Sequence, residues 1–206
     1  MTDFETLNSS PSEDEKIEMD RHSVALMMKV KSGDMAAFEE LVEIHQSSVI
    51  GTVAKMLGNP AEAEDIAQQV FVRVWKSAGR YEPQAKFTTW LFTITRNLVF
   101  NEVRRRKRKP SVSMEEREEE FYLIEADHTT ISPDDSALQS ELEEAIDKAV
   151  ADLPEKQRMA VVLRRYEEMP YEEIGKVLDI TVPAVKSLLF RARSQLKESL
   201  RQYMEE

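Results

Sequence analysis

Apolar residues recur along this chain mostly at three- and four-residue spacing, the period of an amphipathic helix. Phe38, Leu41, Val42, His45, Val49, Val53, Met56 and Leu57 mark one face of a long helix that stops at Gly58-Asn59-Pro60, and either Ser32 or Asp34 suits its cap. Ala61 to Ala78 forms a second helix, with Ile66, Ala67, Val70, Phe71, Val74 and Ala78 on its core side. Its opposite side carries Asp65, Gln68, Gln69, Val72 and Lys76 with Trp75 on the rim, an aromatic and a valine among amides that suit a partner helix. Gly79 to Lys86 is a Gly- and Pro-punctuated loop, after which Phe87, Trp90, Leu91, Ile94 and Leu98 face inward from another helix.

Periodicity breaks from Pro110 to Asp135 and resumes at Ser136, where Leu138, Leu142, Ile146, Ala149, Val150 and Leu153 form an apolar set. Val161, Val162 and Tyr166 carry the next helix. Tyr171 to Lys197 then reads as two short helices about the turn Asp179-Ile180-Thr181. Ile174, Val177 and Leu178 are the apolar positions of the first, and Gly175 lets the second cross closely. Thr181 is placed to cap that second helix, and Pro183 falls in its first turn. Val185, Leu189, Ala192 and Leu196 are its buried stripe. Lys186, Ser187, Phe190, Arg191 and Ser194 point outward. The fold class expected is all-α, two small helical domains joined by a linker.

Charge changes the picture most. The formal net charge is -11, yet Ala184 to Arg201 holds five Lys or Arg against Glu198 alone. A local reversal of sign on a helix-turn-helix is the footprint of a helix set in the major groove. A second reversal lies at Arg96 and Arg104 to Lys109, seven cations against Glu102, which with Thr88 and Thr89 makes a second phosphate-binding patch. Between these patches Pro110 to Asp135 carries nine acids and one Arg, a solvated linker with an apolar island at Phe121 to Ile124. Met1 to Asp20 carries seven acids and one Lys, and is expected to be a disordered tail. The expected division is therefore 1–20 tail, 21–109 first domain, 110–135 linker and 136–206 second domain.

No Cys is present and the three His are far apart, so neither a thiolate nor a His metal site is expected. His45 is expected to be a hydrogen-bonded core or boundary residue. The acidic N-terminus has no apolar signal region and no run is long enough to span a bilayer, so a cytoplasmic protein without membrane insertion is expected. No nucleotide-binding Gly loop or nucleophile triad occurs, and neither catalysis nor a cofactor is expected. These residues alone leave open a helix-turn-helix regulator that binds DNA unaided, or an adaptor that sequesters a protein partner.

Four stretches taken in order carry a family resemblance: AEDIAQQVFVRVW (63–75), FTTWLFTITRN (87–97), LPEKQRMAVVLRRYEEMPYEEIG (153–175) and VPAVKSLLFRARSQL (182–196). The chain resembles a bacterial RNA polymerase sigma factor of the extracytoplasmic-function (ECF) type, group 4 of the sigma-70 family. The resemblance implies that the first domain is sigma region 2, whose Asp65, Gln68, Gln69, Val72 and Trp75 grip the clamp coiled coil of core RNA polymerase. Gln69 stands where the family usually has Glu. It further implies that Arg80, Tyr81, Lys86, Thr88, Thr89, Arg104, Arg105 and Arg106 meet the melted -10 element, in part through a base-capturing loop at 79–86. The second domain would be region 4, contacting the polymerase flap, with Lys186, Ser187, Phe190, Arg191 and Arg193 at the -35 element. Leu188 and Pro183 stand where the family often has Arg and Gly. The acidic linker would thread toward the RNA exit channel, and an anti-sigma factor would be a further partner.

Overall fold

The first helix of the chain starts inside the segment whose acidity had suggested a tail. In the computed structural model, which describes residues 12–108 and 133–203, α1 runs Glu13–Lys31. A capping box nucleates it: Glu15 N–H donates to Ser12 Oγ at 3.3 Å and Ser12 N–H donates to the Glu15 carboxylate at 2.7 Å. Leu26, Met27 and Val30 bury its C-terminal half, while Ile17 and Met19 stay exposed. The expectation of disorder for 1–20 is thus corrected over residues 13–20. The rest of that segment, 1–11, and residues 109–132 of the expected linker lie outside the described residues.

Helix α2 (Met35–Leu57) begins at the Asp34 cap, whose carboxylate accepts from Ala37 N–H at 3.1 Å, and ends on left-handed Gly58. Leu41, Val49, Val53 and Met56 lie on its buried face, each contributing about 1.5–3 kcal/mol by leaving water. Asn59 caps α3 (Pro60–Ser77), and a 3-10 turn over Ala78–Arg80 leads into the loop before α4 (Phe87–Arg108). The first donor of α4 is satisfied from far away in sequence: Phe87 N–H donates to Asp20 of α1 at 2.8 Å. Desolvation holds that carboxyl above its ordinary range despite the bond.

The second unit comprises α5 (Pro133–Ala151), α6 (Glu155–Arg165), α7 (Tyr171–Leu178), α8 (Val182–Ser199) and a 3-10 turn at Arg201–Tyr203. Helix α5 starts three residues earlier than the periodicity implied, inside the expected linker. Every described regular element is helical, and the all-α class with two helical units holds.

The sequence did not announce how closely the units pack. Helix α2 lies against α5 and α6, and α4 lies against α7, so that the buried residues of both units form one continuous cluster. The C-terminal carbonyls of α2 are met by two arginines: Arg158 of α6 donates to Met56 O at 2.7 Å, and Arg106 of α4 donates to Leu57 O at 2.9 Å. Lys55 reaches Asp147 at 3.3 Å and sits 4.3 Å from the Tyr166 ring centroid. Polar ties at helix ends and an apolar seam therefore hold the units together.

His45 is buried between α1 and α4 of the first unit. Its Nε2 lies 2.9 Å from Ser23 Oγ and its ring 5.0 Å from that of Phe87, as expected of a core histidine. Burial lowers its pKa from 6.5 to about 4. The unfolded chain therefore takes up this proton near the ordinary value while the folded chain does not. His45 thus subtracts stability as the pH falls through that window and nothing more below it. An NMR titration of the His45 ring should give a midpoint near 4; a midpoint at the ordinary histidine value would mean that α1 is not packed over it.

Candidate nucleic-acid interface

The C-terminal pair of helices is set by one close approach. A Cβ on Gly175 of α7 would stand 2.8 Å from the carbonyl oxygen of Ile180, so only glycine fits where the turn folds back. Asp179 closes α7 in the left-handed region at φ 55°, and Ile180 N–H donates to Gly175 O at 2.9 Å. Thr181 occupies the cap position of α8, but its hydroxyl makes no cap bond; its carbonyl accepts from Val185 N–H at 3.0 Å. Val185 and Ala192 are fully buried, with Leu189 and Leu196 half-buried beside them.

That packing turns Lys186, Ser187, Phe190, Arg191 and Arg193 to solvent. Phe190 is 72% exposed, an aromatic that buries little in its own fold while flanked by cations. Lys186, Arg191 and Arg193 enter no ion pair among the described residues. An exposed aromatic between unpaired cations on one helix face offers both phosphate contacts and apolar contact with a base edge.

The second patch is less free than its charge suggested. Arg105 forms a two-pronged pair with Glu102, both bonds at 2.7 Å, and these hold the Glu102 carboxyl below its usual range. Arg106 bonds Glu102, Glu62 and Leu57 O, so it ties α4 to α2 and α3. Only Arg104, whose Nε donates to Phe100 O, has no acid partner among these three. Arg106 is thus committed to internal partners. Tyr81 too is turned inward. That ring is 1% exposed, stacked edge-on against Trp90 at 4.9 Å, and burial pushes its hydroxyl up to about 12. Arg80 and Lys86 are exposed and Thr88 is half-buried. Thr89 is buried and donates to Glu173 of α7.

On α3, Asp65, Gln68 and Gln69 are exposed and Val72 is 52% exposed. Trp75 is half-buried against Phe38, with ring centroids 5.1 Å apart. Helix α2 completes this surface: Phe38, Val42 and Ile50 join Gln68, Val72 and Trp75 around an apolar groove of about 690 Å3. The sequence pattern set Phe38 and Val42 on a single apolar face of this helix and did not place Ile50. The signal was the width of the apolar stripe on α2, too broad for one packed face.

Residues 41–109 match the Sigma-70 region 2 family and residues 143–196 match Sigma-70 region 4. The chain is 34% identical over 177 residues to the ECF RNA polymerase sigma factor SigW of Bacillus subtilis, covering 84% of this chain and 94% of that protein. The chain belongs to the ECF sigma factors. It is also 32% identical to the RNA polymerase sigma-H factor of Pseudomonas aeruginosa, over 88% of this chain and 95% of that one. Two solved structures share the fold. CnrH in complex with the cytosolic domain of CnrY has TM-score 0.64 and 24% identity, covering 88% of this chain and 98% of that one. RpoE of Bartonella quintana in complex with the anti-sigma factor NepR has TM-score 0.62 and 21% identity, covering 80% and 96%. As an ECF sigma factor the protein directs RNA polymerase to promoters; α2 to α4 carry its region 2 and the end of α5 to α8 its region 4.

Gly175→Ala tests the close approach. The added methyl cannot be housed without moving the turn, and overpacking of this kind costs about 1–3 kcal/mol. A thermal melt of the full chain should show that loss, whereas an unchanged melting temperature would mean that the turn is looser than described.

Proposed function

We propose that this chain is a group 4 sigma factor that docks on core RNA polymerase through α3 and reads the -35 element through α8. Region 2 then holds the melted -10 strand. The observation that carries this is a pair of exposed faces of different chemistry on separate units. Around the α3 groove the surface is apolar and amide-rich, suited to a partner helix. On α8 it is cationic and aromatic, suited to a duplex groove.

Asp65, Gln68, Gln69, Val72 and Trp75 would meet the clamp coiled coil, with Val72 entering between its side chains. Lys186, Ser187, Phe190 and Arg191 would face the -35 bases, and Arg193 a phosphate. Arg80, Lys86, Thr88, Thr89, Arg104 and Arg105 would lie along the -10 strand, with Tyr81 and Arg106 supporting them from inside. Phosphodiester chemistry belongs to the polymerase. No described helix is long and apolar enough to cross a membrane, and the protein works in the cytoplasm beside its polymerase. CnrH is bound by the cytosolic domain of CnrY and RpoE by the anti-sigma factor NepR, and an anti-sigma factor is the corresponding partner proposed here.

Two substitutions separate the faces. Arg191→Ala should weaken binding of holoenzyme to -35 DNA by about 1–3 kcal/mol while leaving capture of core polymerase intact. Val72→Asp should do the reverse, because an ion placed in an apolar helix interface is left unpaired. Mobility shifts with promoter DNA and pull-downs with purified core read the two effects. Normal behaviour of both variants in both assays would refute the assignment.

A further inference from the structure

One contact between the units uses carboxylates that none of the roles above explains. The turn between α6 and α7 together with the first residues of α7, Glu167 to Glu173, carries four acids in seven positions, and three of them are engaged with the first unit. Glu167 accepts from the hydroxyls of Ser48 and Thr52 on α2, the latter at 2.9 Å. Glu168 pairs with Lys16 of α1. Glu173, only 9% exposed, accepts from Thr89 of α4, itself 3% exposed. The turn is built to hold this pose. Glu168 takes a left-handed backbone at φ 51°, Met169 N–H donates to Leu163 O at 3.0 Å, and Arg164 donates to Met169 O at 3.1 Å.

Hydroxyls and lysines are the groups that bind phosphate oxygens, and here they bind carboxylate oxygens instead. Lys86 and Thr88 line the same cavity as Glu167 and Glu173, a space of about 830 Å3 at the mouth of α4. Given the -10 assignment above, on which this rests, we propose that the acidic turn is an internal competitor for the -10 strand. Its carboxylates occupy Thr89 and screen Lys86 and Thr88, and the strand reaches them only when the second unit swings away.

The contact is suited to reversal. Burial pushes the Glu167 carboxyl above its ordinary range, against the pull of its two hydroxyl bonds. Neutral donors compensate a desolvated carboxylate only in part. The closed chain meanwhile keeps Gln68 and Val72 of α3 and Phe190 and Arg191 of α8 at the surface. Polymerase can therefore be engaged first and the strand site uncovered second, so the free subunit does not hold single-stranded DNA prematurely.

The test uses the full chain, wild type against Glu167→Ala with Glu173→Ala, and separately Thr52→Val, which loosens the same contact from the other side. The probe is a fluorescent 20-nucleotide single strand from the non-template strand of a promoter that the protein supports. Small-angle scattering should show both variants more extended than wild type, and fluorescence anisotropy should show strand affinity rising about fivefold or more. Variants that extend without gaining affinity, or that gain neither, overturn the competition. Absence of strand binding in every form removes the -10 assignment and the competition with it. If the opened variant binds tightly and adding Lys86→Ala with Thr88→Ala does not weaken it, the -10 residues are wrong while the turn still competes with the strand.

Discussion

A protein with net charge -11 that must work on a polyanion can approach it only where its sign is locally reversed. Beyond roughly 8 Å, physiological salt screens the remaining repulsion, so what counts is the charge on the touching face. Helix α8 meets this condition with cations that have no acid partner among the described residues. The end of α4 meets it only in part, because Glu102 and Glu62 absorb Arg105 and Arg106. The two patches therefore differ in kind. One is an exposed cationic face, and the other is a braced helix end whose uncommitted charge is mainly Arg104 and Arg108, since Lys107 lies 3.8 Å from Glu155, with Lys86 just before the opposite end of the same helix.

The bracing has a structural purpose. A helix leaves its last carbonyls unpaired, and α2 ends where three other helices converge. Arg106 and Arg158 reach those carbonyls from opposite units, so one helix terminus is a joint for both. Asp20 does the converse at the start of α4. Such ties are directional, and together with the shared apolar seam they give the closed chain one arrangement of its two units.

Much of the fold was legible because its signals are local. Asp34, Gly58, Gly175 and Pro183 each carry their meaning in one or two residues, and the structure uses them at helix ends or, for Gly175, at the close approach. The face of α8 was legible for the same reason. What misled was reading charge without capping: Ser12 and Glu15 form a capping box, and Leu26, Met27 and Val30 lie beyond it, but seven acids suggested a tail. What was illegible is long-range. No local pattern tells that Tyr81 turns inward against Trp90, that Arg106 is drawn to Glu62, or that Glu173 lands on Thr89. Those outcomes depend on which helices meet, and an arginine reads the same in sequence whether it faces a phosphate or a glutamate.

The arrangement implies a division of labour in time as well as in space. On the proposed assignment, Val72 of α3 and Phe190 of α8 are exposed for polymerase and the -35 duplex in the closed chain, while the Thr89 hydroxyl is covered. All of it depends on the chain giving core polymerase a promoter preference. Run-off transcription with purified core over a library of double-stranded promoter fragments measures that directly. Transcripts should appear only when the protein is added, and only from fragments bearing two elements at fixed spacing. Sequence-independent initiation, or none, would contradict the account.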